Sequence, residues 1–171
     1  MKVTQPKKLD AIKLLKADHK AVAALFAKFE TGRLTPAKKR KLADEICNAL
    51  KVHTQIEEEI LYPEARKVLK KADMKIVDEA YVEHGSIKEL IEAIENHEND
   101  ELFDAEVHVM GEWVKHHVKE EEKEFFPKLK TSKMDLEKIG AQLAERKAEL
   151  ESESIGTWVK SKISKITKSN N

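Results

Sequence analysis

His53-Thr54-Gln55-Ile56-Glu57-Glu58-Glu59-Ile60-Leu61-Tyr62-Pro63 is echoed sixty-four residues on by His117-Val118-Lys119-Glu120-Glu121-Glu122-Lys123-Glu124-Phe125-Phe126-Pro127. Both stretches read His, three spacers, two adjacent glutamates and an aromatic-Pro pair at the same offset. Residues four apart share one face of a helix, so His53 stands with Glu57 and His117 with Glu121. An imidazole and a carboxylate converging from each of two helices supply half of a transition-metal site.

The other half appears when the chain is read for the same repeat. Asp18-His19 precedes the first copy and Glu83-His84 the second, at nearly the same distance. The whole pattern is His19, His53-x-x-x-Glu57, then His84, His117-x-x-x-Glu121. A lone His-x-x-x-Glu arises by chance in helices rich in Lys and Glu. A duplicated one, with paired lone histidines and matching aromatic-Pro endings, is a specific signal.

Composition sets the frame. The chain has 171 residues, 37% of them charged and only 5% aromatic, with five Gly and four Pro. That balance favours helices with solvated outer faces and short connections around one core. A formal net charge of +0 gives no global electrostatic case for nucleic acid. The single cysteine excludes an internal disulfide and fits a reducing compartment. Met1 to Asp10 carries lysines without an apolar signal core, and no run approaches membrane-spanning length. The expected location is the cytoplasm.

Apolar periodicity places four helices. After a loose segment, residues 1–9, Asp10 caps a stripe through Ile12, Leu15, His19, Val22, Phe26 and Phe29, which ends at Thr31-Gly32. Thr35-Pro36 opens the second helix, with Leu42, Ile46, Leu50, His53, Ile56, Glu57 and Ile60 on one face. Pro63 is expected to kink it or end its regular part, with helix resuming to Leu69. Asp73 caps the third, which carries Ile76, Val77, Ala80, Tyr81, His84, Ile87, Leu90, Ile91 and Ile94, and Asn96 to Asp100 makes a polar turn. The fourth presents Val107, Met110, Val114, His117, Glu121 and Phe125 and ends near Pro127.

The expected architecture is an all-α, up-down-up-down four-helix bundle over residues 10–130 with a C-terminal helical extension, 131–171. In that topology a pseudo-twofold axis gathers all six candidate ligands around one point. The extension reads as a fifth helix with a narrow seam, Leu136, Ile139, Leu143 and Leu150, followed by a basic amphipathic helix over 155–167. That last segment is expected to fold back on the bundle or self-associate, with a membrane surface or a protein partner as the alternatives.

Two buried carboxylates pose an energetic problem, because each costs several kcal/mol in an apolar bundle unless paired or coordinated. Lys and Arg fall mainly on the outer faces, so a bound cation is the natural partner of Glu57 and Glu121. A carboxylate also bridges two metals. Nitrogen and oxygen ligands without thiolate suit iron or manganese, with zinc also open, and Cys47 lies off the His53 face. His97, His108 and His116 read as surface or packing residues, as do Tyr62 and Phe126, while Met110 and Trp113 read as core near the site. Glu59, Glu120 and Glu122 read as solvated.

This pattern resembles the hemerythrin family, specifically the hemerythrin HHE cation-binding domain, over roughly residues 10–130. The resemblance implies a hemerythrin-like bundle holding two iron ions, a non-haem di-iron centre bridged by carboxylates and an oxo or hydroxo group. Carried over, the metal ligands are His19, His53, Glu57, His84, His117 and Glu121. The chain departs from the oxygen-carrying hemerythrins: Lys88 stands one turn after His84 where they have a second histidine. Glu121 and Glu122 stand near the position of their terminal aspartate. Tyr81 and Glu58 are candidates for an additional ligand or an outer support.

The implied function is a di-iron protein that binds, senses or reacts with dioxygen, peroxide or nitric oxide. Its alternatives are a catalase-like enzyme decomposing peroxide and an iron storage or sensing module. No Gly-rich nucleotide loop and no nucleophile–base pair stands outside the metal cluster.

Overall fold

The computed structural model describes residues 10–96 and 101–169, with side chains through residue 153. His97, the turn at 97–100, the segment 1–9 and the apolar stripe of 155–167 lie outside the described residues or side chains.

Helix α1 (Ala11–Thr31) starts where expected, with the Asp10 carboxylate accepting from the Lys13 amide at 2.9 Å. Its end falls at Gly32, where a Cβ would meet the Lys28 carbonyl at 2.6 Å and the Leu34 side chain at 2.8 Å. Helix α2 (Pro36–Ile56) is capped by Thr35 with Pro36 in its first turn. The chain then passes through a π-turn, Glu57–Leu61, into α3 (Tyr62–Val68). A one-turn 3-10 segment, Lys71–Asp73, leads into α4 (Met74–Asn96), and the Asp73 carboxylate accepts from Lys128. Helix α5 (Phe103–Glu120) crosses a second π-turn, Glu121–Phe125, into α6 (Phe126–Thr131). Helix α7 (Leu136–Ser169) follows.

Neither proline breaks its rod. Pro63 and Pro127 each sit at the second position of the helix that resumes after a π-turn, so the missing amide falls in a first turn. The fourth rod therefore runs on past Pro127 to Thr131. The tail likewise forms one helix where the sequence suggested two.

The four rods are α1, α2–α3, α4 and α5–α6, and each packs on its neighbours around a ring. Arg40, near the start of α2, donates to the Ile94 carbonyl near the end of α4, while Lys39 pairs with Asp104 at the start of α5. Those contacts fix α2 antiparallel to α4 and parallel to α5, the up-down-up-down order.

The core divides into two apolar plugs. One contains Val22, Ile46, Leu50, Ile91 and Met110, and the other Leu15, Leu61, Phe125 and Leu129. Between them lies a buried polar layer of His19, His53, Glu57, His84, His117 and Glu121. Cys47 is buried in the first plug, away from that layer, and burial pushes its thiol up to about 12. Trp113, expected in the core, is 45% exposed on the outer side of α5, whereas Met110 is fully buried.

Helix α7 closes the second plug. Ile139, Leu143 and Leu150 are buried against the start of α1 and the α2–α3 rod. No helix among the described residues is long and apolar enough to cross a membrane. Truncating Leu143, which is fully buried, to Ala should destabilise the fold by about 2–4 kcal/mol in denaturant unfolding. A change below about 0.5 kcal/mol would mean that α7 does not share the core.

Candidate metal centre

All six sequence-expected residues meet in the polar layer. Each imidazole turns Nε2 inward, toward two carboxylates that lie between opposite pairs of histidines. Glu57 Oε2 is 3.3 Å from His53 Nε2 and 3.4 Å from His84 Nε2. Glu121 Oε2 is 3.3 Å from His19 Nε2 and 3.7 Å from His117 Nε2. The two halves of the repeat are thus exchanged by a pseudo-twofold: each glutamate touches one histidine from its own half and one from the other.

The donors form two groups tight enough for a cation, His19, His53, Glu57 and Glu121 in one, and Glu57, His84 and His117 in the other. Glu57 belongs to both. Within the first, His19 Nε2, His53 Nε2, Glu57 Oε1 and Glu121 Oε2 are buried without a hydrogen-bond partner. Orphaned buried polar atoms are expensive, and four of them converging on one spot fit a ligand set rather than a hydrogen-bonded core. In the second group, His84 Nε2 and His117 Nε2 face each other at 3.1 Å. Both rings have Nδ1 against a carboxylate, which makes Nδ1 the proton donor and turns two Nε2 lone pairs toward one another. A cation, or a proton in its absence, resolves that repulsion. The residues present fit a pair of bound metal ions.

Carboxylates also stand outside the ring. Glu58 Oε1 is 2.9 Å from His84 Nδ1, Glu83 Oε2 is 2.7 Å from His117 Nδ1, and Glu122 Oε1 is 3.0 Å from His19 Nδ1. Lys88 holds Glu58 and Lys16 holds Glu122. Carboxylates in that position fix the tautomer and ring orientation of a ligating imidazole. Glu122 therefore does more than solvate a face. Its neighbour Glu121 points inward, and the π-turn beginning there sets the two side chains on opposite sides of His19.

Tyr62 is the residue that sequence reasoning left in the packing. Its hydroxyl is fully buried, donates to Glu121 Oε1 at 3.1 Å, and lies 3.2 Å from His84 Nε2 and 3.5 Å from Glu57 Oε2. In an α-helix a residue five beyond Glu57 points about 140° away from it. The π-turn brings it back, because the Tyr62 amide bonds the Glu57 carbonyl five residues earlier. Phe126 holds the equivalent place after Glu121 and stacks on the His19 ring at 5.8 Å. The difference between Tyr62 and Phe126 was the available signal. Tyr81, by contrast, packs on Tyr62 and donates to the Glu58 carbonyl at 3.3 Å. His108 and His116 are exposed, as expected.

A family model described as the hemerythrin HHE cation binding domain matches residues 10–129. The chain belongs to that family. The crystal structure of a hemerythrin HHE cation binding domain-containing protein, the Rv2633c homolog from Mycobacterium kansasii, is similar with a TM-score of 0.72. The two share 21% identity over 85% of this chain and 90% of that one, which speaks to fold alone. No curated protein matches.

Without metal, the HHE site must manage its charge with protons. Burial drives His53 down to about 4, so it is a neutral, ligand-ready imidazole. Burial, reinforced by the charge of Glu121, pushes Glu57 well up, so it keeps its proton. Burial opposes ionisation of Glu121 too, but His117 and His19 outweigh it and hold the carboxyl near 2. Burial also opposes charge on His19 and His117, and the Glu121 carboxylate beside them overcomes it and raises both. Metal uptake must displace the protons on Glu57, His19 and His117, so affinity falls as pH falls.

Glu57→Gln copies the neutral carboxyl of the metal-free state. Metal-free, it should melt within about 1 kcal/mol of the parent, because no buried charge is lost. With ferrous iron or manganese, the parent should gain several degrees in Tm and the variant none. Equal metal-induced gains in both proteins would contradict the assignment of Glu57.

Proposed function

We propose that this HHE domain holds two iron ions between its histidine pairs and binds, senses or reacts with a small oxidant or diatomic ligand, dioxygen, peroxide or nitric oxide. The observation that carries the reading is Glu57, common to two adjacent donor groups, each closed by two histidines. Glu121 lies against a histidine of each pair and would serve as the second carboxylate clamp. Bound iron would supply reversible one-electron chemistry at each site; manganese suits the same donors, and zinc would occupy them without redox chemistry.

The chain's own residues shape what reaches that centre. A small void of about 10 Å³ adjoins His19, His53 and His117 and is walled by Val22, Leu50, Ile87 and Val114. An apolar lining of that size suits a neutral molecule as small as water and disfavours a charged one. Outside, a groove of about 870 Å³ between α1 and α5 runs over Phe26 and Val118 to His19 and Glu122, which makes it the natural approach. Tyr62 is placed to donate a proton toward Glu121; burial, with the Glu121 and Glu57 carboxylates, holds its pKa up, and a cation beside it would oppose them and favour its phenolate.

A catalase-like enzyme and an iron store or sensor are the competing uses of the same centre. Cys47 as a lone buried thiol accords with work in a reducing cytoplasm. The test is ferrous loading followed by air, with iron content and the near-ultraviolet spectrum measured together. About two irons per chain with a charge-transfer band that disappears in Glu121→Ala supports the reading. One iron or none, without such a band, would overturn it. Steady-state peroxide turnover above that of free iron would then assign the enzyme role, and its absence the binding or sensing one.

A further inference from the structure

The fourth histidine is supported differently from the other three. Asp18 is its outer carboxylate, yet Asp18 Oδ2 stands 3.9 Å from His53 Nδ1, an ion-pair approach rather than a hydrogen bond. Both atoms are buried without a hydrogen-bond partner. The other oxygen, Asp18 Oδ1, accepts from Lys147 Nζ, which comes from α7, outside the matched bundle. Lys147 is largely covered, with 27% of its side chain exposed, and it also approaches Glu151 at 3.8 Å, one turn along α7.

A side cleft of about 410 Å³ opens between α1, α2 and α7 at this place, lined by Asp18, Ala49, Val52 and Lys147. Across it, Lys147 links α7 to the metal centre through a single carboxylate. The supports of the other histidines, by contrast, come from within the four rods: Glu122 with Lys16, Glu58 with Lys88, and Glu83. Among the described residues, His53 is the histidine of the layer whose neighbouring outer carboxylate is held from the C-terminal helix.

We propose that Lys147 is a positioning residue for the metal centre: by holding Asp18 Oδ1 it aims Oδ2 at His53 Nδ1, and so couples the docking of α7 to metal occupancy. The inference rests on the metal-binding reading above. A cation drawing on His53 Nε2 makes its Nδ1–H a stronger donor, and closure of the 3.9 Å gap onto a pre-aimed carboxylate follows. Linkage then runs both ways. Docked α7 slows metal loss, and bound metal tightens the segment of α7 around Lys147. A helix whose docking reports the metal state is the part a sensor needs.

The experiment uses the full chain loaded anaerobically with ferrous iron and challenged with a chelator. Outer-shell changes cost about 10–100-fold in metal affinity, and Lys147 lies one contact further out, so K147M should release iron about 3–10-fold faster. K147R, which keeps the ion pair, should stay near the parent rate. In a D18N background, K147M should add nothing, because the route is already cut. Hydrogen exchange over 136–153 should be slower in loaded than in metal-free protein, and that difference should vanish in K147M. A merely structural lysine would change metal-free stability and leave the loaded-to-free difference intact.

Parent-like iron release by K147M, or α7 exchange indifferent to loading, would overturn the proposal. Failure of the parent itself to take up iron would instead sink the metal-binding reading, and is recognised before any variant is made.

Discussion

Two carboxylates buried in the middle of an apolar bundle are the constraint on which the rest of this structure depends. Glu57 is fully buried and Glu121 nearly so, with Leu, Ile and Phe plugs above and below them. Two isolated anions there would each cost several kcal/mol, and the adjacent negative charges would repel. The metal-free protein limits the cost by leaving Glu57 protonated and surrounding Glu121 with imidazoles. That solution leaves buried nitrogen and oxygen atoms unpartnered, and it forces two imidazole Nε2 atoms together. Cations remove all three difficulties at once. The polar layer is therefore an arrangement of charge and hydrogen-bonding groups that a bound cation would complete.

The two π-turns convert a repeated sequence into that geometry. Each begins at a glutamate of the polar layer and ends just before an aromatic-Pro pair. Widening the helix by one residue brings the inward carboxylate, the outer carboxylate next to it and the aromatic five residues on to one polar layer. In one copy the aromatic is Tyr62, with its hydroxyl against Glu121 and His84, and in the other it is Phe126, stacked on His19. The pseudo-twofold is broken there. The two ends of the polar layer are chemically unequal even though the histidines and glutamates of the two repeats match.

The bundle and the inward six were legible because they follow periods a linear reading can follow. A spacing of four puts histidine and glutamate on one face, and Asp10, Thr35 and Pro36 are local signals at helix starts. What stayed hidden depends on breaks in that period or on distant pairing. Tyr62 lies on the wrong face of any α-helix, and only the π-turn returns it. Trp113 is hydrophobic on an amphipathic helix, and nothing local shows that its side of α5 faces solvent. Glu122 with Lys16, and Asp18 with Lys147, join residues more than a hundred positions apart. Charged residues in a chain this rich in them give no pairwise signal until helices are packed. The tail read as an appendage for the same reason: its narrow seam identifies a helix without showing which surface it closes.

Anomalous diffraction from crystals of the iron-loaded full chain, recorded at the iron edge, would locate the metal in the polar layer. Two peaks per chain are expected to flank the Glu57 carboxylate, one against His19 and His53 and the other against His84 and His117. A single peak, or iron confined to the partly exposed Glu83, His116 and Glu120 cluster, would contradict a centre built on Glu57.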